Sequence, residues 1–323
     1  MIASHELSVL QFAPIYQERV WGGRNLERLY GRHLPEAGPP YGESWEICDR
    51  EEAQSVVTAG PLQGWSLHDL WTQARNEVFG FAYAGHSSPR FPLLIKILDA
   101  QEDLSMQVHP DDASAAGVGG EAKSEAWYVT HTQPGATLYA GMRPGTTSEI
   151  FRQAMVEGSV AEHALSLKVA PGDCLAVPGG TLHAIGAGVV IFEIQQNSDT
   201  TYRVFDWNRL GLDGKPRALH QEEAMKVLHF DAEPPDLQKP QGGRLLDWPY
   251  FKIDRWEMTK FEGRSVIGRS RFKIGAVVDG EISWRKGNTM KAGDFFLVPA
   301  CLGDEQRQFK CTSARATLLW ISL

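Results

Sequence analysis

Three short segments carry side chains of the kinds that bind cations. Gln107-Val108-His109-Pro110-Asp111-Asp112 sets an amide and an imidazole two residues apart. Side chains alternate along an extended strand, so Gln107 and His109 share one face. Lys123-Ser124-Glu125-Ala126-Trp127-Tyr128 repeats that spacing with Lys123 and Glu125. In Val177–Gly186, His183 stands in an apolar, glycine-rich turn. A buried imidazole there needs a partner, either a carbonyl or a metal. Alone, each segment reads as an ordinary surface pair or a satisfied histidine. Together, Gln107, His109, Glu125 and His183 offer two imidazoles, a carboxylate and an amide oxygen. That donor set suits a borderline divalent ion, zinc in particular. One weak neutral ligand and access to solvent fit a catalytic ion, which keeps a position open.

A fourth segment, Glu193 to Arg209, is unusually polar for a stretch that follows an apolar strand. Glu193 and Gln195 share a face. Arg203 presents a planar fork suited to an oxyanion or phosphate. The whole chain has a formal net charge of -8 and a pI of about 5.7. It therefore lacks the basic face of a nucleic-acid binder. An anionic substrate binds such a chain only where a local group of Arg and Lys overrides the global field.

The elements that must hold these residues are mostly strands. Phe91–Leu98, Ala126–Thr130, Leu165–Val169, Val189–Gln195, Phe272–Val278 and Ala316–Ile321 are short and rich in β-branched and aromatic residues. Three helices are expected. One opens at Ser66, with Asp69 completing a capping box and Leu67, Leu70, Trp71 and Ala74 on one face. A second starts near Thr147–Ser148, carries Ile150, Phe151, Ala154 and Met155, and ends at Gly158. A third covers about His220 to Leu228.

The nine residues Ala170–Pro178 resemble Lys291–Pro299, with Gly172, Asp173, Val177 and Pro178 each matched 121 positions later. A Gly-Asp turn feeding a buried strand of this kind recurs in cupin barrels. The fold class expected is mainly β: two tandem cupin-type (jelly-roll) β-barrels with short helical insertions. Residues 1–235 form the metal-binding domain and 240–323 a metal-free one, joined through the proline-rich stretch 231–243. The repeat fails at its end, because five residues after Pro178 stands His183, whereas five after Pro299 stands Asp304.

The 323 residues suffice for a substantial core without staples. Cys48, Cys174, Cys301 and Cys311 form no disulfide pattern and are expected reduced and mostly buried. The N-terminal stretch lacks the pattern of a signal peptide, and no run of about 20 apolar residues exists. The expectation is a cytoplasmic protein with no membrane and no nucleic-acid partner, present as a monomer or homodimer.

Seven motifs in order resemble the type I mannose-6-phosphate isomerases, in their short bacterial form. They are Glu18–Gly23, Tyr41–Glu46, Pro92–Ala100, Leu104–Asp112, Lys123–Tyr128, Pro178–His183 and, most specific, Glu193–Arg209. The resemblance implies one zinc ion per chain on Gln107, His109, Glu125 and His183. It implies catalytic roles for Lys123, Glu193 and Arg203, and substrate binding by Ser105, Arg203 and Lys123. Ser105 matches a serine that helps hold the phosphate. The large helical insertion of longer members is missing, as in other short forms. The implied reaction is interconversion of mannose 6-phosphate and fructose 6-phosphate through an enediol. Glu193, Lys123 or a metal-bound water is the expected proton carrier, and Lys123 would need a lowered pKa for that task. Two competing readings are a non-catalytic sugar-phosphate-binding cupin, acting as sensor or accessory, and a different metal cupin such as an iron dioxygenase.

Overall fold

The computed structural model describes residues 7–268, 270–285 and 288–323. The first six residues of the N-terminal stretch lie outside these. Among the described residues the chain is mainly β, with few and short helices.

Two runs, LLIKILDA and VVIFEIQQ, are apolar at almost every position rather than at alternate ones. Such runs fit strands covered on both faces. They form β4 (Leu93–Ala100) and β11 (Val189–Gln196), neighbours in the middle of a seven-stranded antiparallel sheet. Its order is β13 (Leu237–Gln238), β9 (Cys174–Val177), β6 (Glu125–Thr132), β11, β4, β3 (Tyr41–Ile47) and β2 (Ile15–Gly23).

One face of this sheet, with Leu98, Trp127, Leu175 and Ile191, shares a core with Leu138, Ala140 and Ile185 of a second sheet. That five-stranded sheet runs β12 (Tyr202–Phe205), β5 (Met106–Val108), β10 (His183–Ile185), β7 (Thr137–Met142) and β8 (Ala164–Lys168). The opposite face, with Ile95, Ile97, Tyr128 and Phe192, joins a core with an eight-stranded C-terminal sheet. There the order is β1 (Leu10–Gln11), β19 (Phe295–Val298), β17 (Lys273–Trp284), β20 (Gln308–Ser322), β15 (Lys252–Thr259) and β14 (Arg244–Asp247). Two short strands, β16 (Gly263–Ser265) and β18 (Asn288–Lys291), hang on β20 and β17. Strand β1 pairs with β19, Leu10 opposite Leu297, so an early segment forms the edge of the last sheet. The chain leaves the seven-stranded sheet at Gln238 and enters the eight-stranded one at Arg244.

Helix α1 (Asn25–Tyr30) was not expected, because its N-cap Arg24 makes no side-chain cap. Its first amide donates instead to Asp99 Oδ2 at 2.8 Å, from a residue distant in sequence. Helix α2 (Leu67–Gln73) begins at Ser66 with the expected capping box. Leu67, Leu70, Trp71 and Ala74 are all buried. The Trp71 ring meets Phe79 and Phe91 at 5.0 and 5.5 Å, and both of these meet Phe272 at 5.2 and 5.6 Å. Edge contacts of this kind are each worth about 1 kcal/mol beyond their burial, and they tie the helical insertion to the C-terminal sheet. The short helix α3 (Arg75–Val78) follows and was also unexpected.

Helix α4 (Ser148–Glu157) is capped by Thr147 and ends at Gly158, with Phe151 and Ala154 buried. Ile150, expected on the inner face, is 44% exposed. Helix α5 (Gln221–Val227) is one residue shorter at each end than expected. Strands β17 and β20 run well past the expected segments, because bulges at Val277/Asp279 and Gly280/Ile282 let the pairing continue. All four cysteines are free and three are buried. No described helix is long and apolar enough to cross a membrane.

Candidate metal centre and substrate cavity

The registers of the two sheets that share a core set the site. Across β3, β4, β11, β6 and β9, the residues Trp45, Lys96, Glu193, Trp127 and Leu175 lie directly opposite one another in a row. Across β12, β5, β10 and β7 a second row runs Arg203, Gln107, His183, Ala140. Between the sheets lies a cavity of about 600 Å³, lined by Lys96, Glu193 and Trp127 from one row and Arg203, Gln107 and His183 from the other. Glu125 stands two residues before Trp127 on the same face, and Ser105, Lys123 and Glu125 also line the cavity.

His109 Nδ1 lies 2.8 Å from the Thr200 carbonyl oxygen and His183 Nδ1 lies 2.9 Å from that of Thr181. Each ring donates from Nδ1, which leaves the Nε2 lone pair as the free one. The two Nε2 atoms are 3.1 Å apart. They lie 3.5 and 3.4 Å from the Glu125 carboxylate. Neither neutral ring can donate to the other. Glu125 Oε1 is buried without a hydrogen-bond donor, while Oε2 lies 2.9 Å from Lys123 Nζ. Two lone pairs and a carboxylate turned on one point are costly alone and are what a cation requires. The donor atoms of His109, Glu125 and His183 all fall within 4.8 Å of one another. Gln107 adjoins them: its Nε2 is 3.3 Å from His183 Nε2, while its Oε1 accepts from Ser105 Oγ at 3.1 Å. A half-turn of the amide, which leaves its shape unchanged, points the oxygen at the imidazoles.

Charge follows from this burial. Burial pushes His109 down to about 3, reinforced by the Lys123 ammonium, so the ring is neutral, the form that ligates. His183 is lowered by burial as well. Burial opposes ionisation of Glu125, but the Lys123 ammonium at 2.9 Å outweighs it and holds the carboxyl well below its usual range. Lys123 shifts upward: burial works against its charge, yet Glu125 and Glu193 prevail. Acting as a base would need the opposite shift, and two carboxylates face Lys123. Glu193 is raised by burial and then by repulsion from Glu125, despite Lys123 and Lys96.

Other expected residues also gather here. Ser105 is buried beside Gln107. Arg203 donates from Nη1 to the Ala218 carbonyl at 2.8 Å, and its Nε is buried without an acceptor. Among the cavity residues that carried no role in the sequence reading are Arg19, Glu43 and Lys96. Glu43 accepts from Arg19 Nε at 2.8 Å and from the Trp45 indole at 2.6 Å. Burial opposes its charge, but Lys96 and Arg19 hold it at about 2. Lys96 Nζ lies 3.4 Å from Glu193 Oε1 and 3.8 Å from Glu43. Lys96 was detectable as the lone cation inside an apolar strand, since a buried lysine needs paired acids.

A family model of the phosphomannose isomerase type I catalytic domain matches residues 9–134. The probable mannose-6-phosphate isomerase GmuF of Bacillus subtilis (strain 168) is 36% identical over 306 residues, covering 90% of this chain and 93% of that protein. Mannose-6-phosphate isomerase ManA of the same organism is 36% identical over 307 residues, covering 91% and 94%. A crystal structure of the mannose 6-phosphate isomerase from Bacillus subtilis superposes with a TM-score of 0.84 at 30% identity, covering 98% of this chain and all of that one.

Proposed function

The chain belongs to the type I phosphomannose isomerases, and on that premise we propose that its cavity interconverts mannose 6-phosphate and fructose 6-phosphate by moving a proton between C1 and C2 of the open-chain sugar. The observation that carries the reading is the convergence of two Nδ1-anchored imidazoles and buried Glu125 on one point, beside a second buried carboxyl, Glu193. We assign His109, His183, Glu125 and Gln107 to hold one zinc ion per chain. When bound, such an ion supplies Lewis-acid polarisation of the sugar carbonyl.

The remaining work falls to side chains. The Trp127 indole donates to Glu193 Oε2 at 3.3 Å, which leaves Oε1, flanked by Lys96, for the substrate. Its raised pKa brings Glu193 toward the range in which a carboxyl both takes and returns a proton. Glu193 takes the C2 proton of mannose 6-phosphate and returns it to C1, while the O2 hydroxyl proton passes to O1. Lys123 stays cationic and stabilises the negative charge that develops on the enediol oxygens. Ser105 and Arg203 receive the phosphate.

The same reading makes residues 1–235 one jelly-roll barrel, with the cavity inside it, and 240–323 a second without a metal. A turn of identical construction in each half supports this. It also implies a cytoplasmic enzyme with a sugar-phosphate substrate. The sensor alternative is disfavoured because Lys123, Glu193 and Arg203 all line the cavity; a binding module has no use for a proton carrier.

Isomerisation of mannose 6-phosphate by the purified protein, before and after chelation and after zinc is returned, tests the proposal. Turnover that vanishes with chelator and returns with zinc supports reaction and metal together. Turnover indifferent to chelation removes the metal. No turnover with any metal leaves the binding module.

A further inference from the structure

An acidic chain that binds a phosphate dianion needs a local excess of cation. Most cations around the cavity are matched. Lys96 lies between Glu43 and Glu193, Lys123 lies against Glu125, and Arg19 lies against Glu43. Arg203 makes no ion pair among the described residues; its bond goes to a backbone carbonyl.

Asp206, three residues further along the chain, is buried and carries two arginines at once. Arg209 reaches Oδ1 from Nε and Nη2 at 3.2 and 2.9 Å. Arg217 reaches Oδ2 from Nε at 2.7 Å and Oδ1 from Nη2 at 2.5 Å. Two arginines therefore share one buried carboxylate, Arg209 with a second acid, Glu102, at 3.5 Å, and Arg203 stands nearby. Burial, and then the charge of Arg217, push Arg203 below its ordinary value, so these guanidiniums are close enough to repel. Like charges held together in this way form a receptor for an anion.

The connecting backbone is shaped for the purpose. Trp207 and Asn208 adopt left-handed conformations, φ 57° and 55°; asparagine tolerates this region, but a tryptophan takes it only under constraint. The Trp207 indole donates to the Leu104 carbonyl at 2.7 Å and so pins the turn beside Ser105. The segment then folds back so that Gly211, Leu212, Asp213 and Arg217 line the cavity. Asp213, the acid among them, spends Oδ1 on the Lys215 amide at 3.0 Å. Arg217 bonds Asp206 through Nε and Nη2 only, and its Nη1 donates to no acceptor among the described residues.

We propose that Arg217 binds the substrate phosphate together with Arg203, and that Asp206 is the positioning residue that turns Arg217 into the cavity. The inference rests on the sugar-phosphate reading above.

The test is steady-state kinetics of the full, metal-loaded chain with mannose 6-phosphate, alongside competitive inhibition by inorganic phosphate. Arg217→Met should raise KM about 10- to 100-fold, the loss of a charged hydrogen-bonding group. The inhibition constant for inorganic phosphate should rise in parallel, with kcat within about threefold. Arg217→Lys should fall between, and is read in the same way if the Met variant does not fold. Asp206→Asn should move both constants in the same direction by less, with Asp206→Glu restoring part of the loss. Unchanged KM and phosphate inhibition overturn the inference. So does a fall in kcat with phosphate inhibition intact, the mark of a segment that only packs. A native enzyme that turns over mannose 6-phosphate while Arg217→Met keeps its KM defeats this inference alone. A native enzyme with no turnover defeats the sugar-phosphate reading and this one with it.

Discussion

The turn before β9 and the turn before β19 are built alike, and they lead to opposite interiors. Asp173 Oδ2 accepts from the Ala170 amide, and Asp294 Oδ2 from the Lys291 amide, each at 2.8 Å. Gly172 donates to the Val129 carbonyl and Gly293 to that of Val277, again at 2.8 Å in both. The following strands end with Val177 opposite Glu125 and Val298 opposite Lys273. By the same registers Trp127 corresponds to Gly275, and Glu193 to Trp320. The carboxylate proposed as a metal ligand thus corresponds to a lysine in the other half, and the proposed proton carrier to an indole. The Phe296 ring fills the room left by Gly275, where a Cβ would stand 2.2 Å from it. It meets Phe309 and Trp320 at 5.4 and 5.6 Å. Past the strand, His183 finds its counterpart in Asp304, which opens a short 3-10 helix. That helix ends at Arg307, buried and bonded to the backbone carbonyls of Pro299, Ala300 and Arg271. The same backbone frame holds chemistry in one half and an aromatic core in the other, so the frame does not decide function.

The contrast can be pressed hardest at its matched pair of charges. Glu125→Gln should weaken metal binding by at least about 100-fold, since even outer partners of ligands are worth 10 to 100, and turnover should fall with metal content measured by mass spectrometry. Lys273→Gln should change neither. Metal loss in the second variant would mean that the C-terminal half holds an ion too. Next in size is Phe296→Ala, expected to cost about 3–5 kcal/mol in denaturant titrations, while kcat of the folded enzyme stays within about twofold. A collapse of kcat at full folding would tie the aromatic core directly to the chemistry.

The two turn glycines give a finer comparison. Both have positive φ, 99° at Gly172 and 88° at Gly293. Alanine at Gly172 meets nothing nearer than 3.9 Å, so only backbone strain of about 1–2 kcal/mol applies. Alanine at Gly293 would also press on the Tyr30 ring at 2.6 Å, for about 1–3 kcal/mol more. Thermal melts of the two variants should rank them in that order; equal shifts would show that Tyr30 yields freely.

The smallest effect concerns acid. His109 is neutral in the fold, held near 3 against an ordinary value of about 6.5. A base with a depressed folded pKa leaves stability intact above the ordinary value and removes it as pH falls through that interval. Residues 240–323 contain no histidine. In chelator-treated protein near pH 5.5, hydrogen exchange corrected for its intrinsic pH dependence should quicken in β5 and β10 by up to about tenfold while β17 and β20 hold. Uniform quickening would mean that the two halves open as one.

What the sequence revealed and what it hid divide along physical lines. Gln107 with His109, and Lys123 with Glu125, were legible because period-two spacing is local. The grouping of His109, Glu125 and His183 needed two neighbouring strands of one sheet, β5 and β10, to be set against β6 of the other. Arg19, Glu43 and Arg217 stayed unread because their partners come from other strands and distant turns. Helix α1 was missed for the same reason, its cap being Asp99. The upward shift of Lys123 was equally hidden, since it depends on two carboxylates that only the fold delivers. Ile150 misled because a helix face has a margin, and that margin is wet here. The apolar runs of β4 and β11 announced burial but not which face looks into the cavity.

Strand β1 bears on how the molecule is made. Leu10 and Gln11 pair with Leu297 and Phe296, so this edge of the C-terminal sheet joins two segments that leave the ribosome far apart in time. At roughly 5–20 residues per second, that partner arrives tens of seconds late. Until then an apolar strand has no mate, and a nascent chain in that condition is open to the wrong neighbour. The seam therefore closes only after β19 has been made, and a chain that stops before β19 leaves it unsewn.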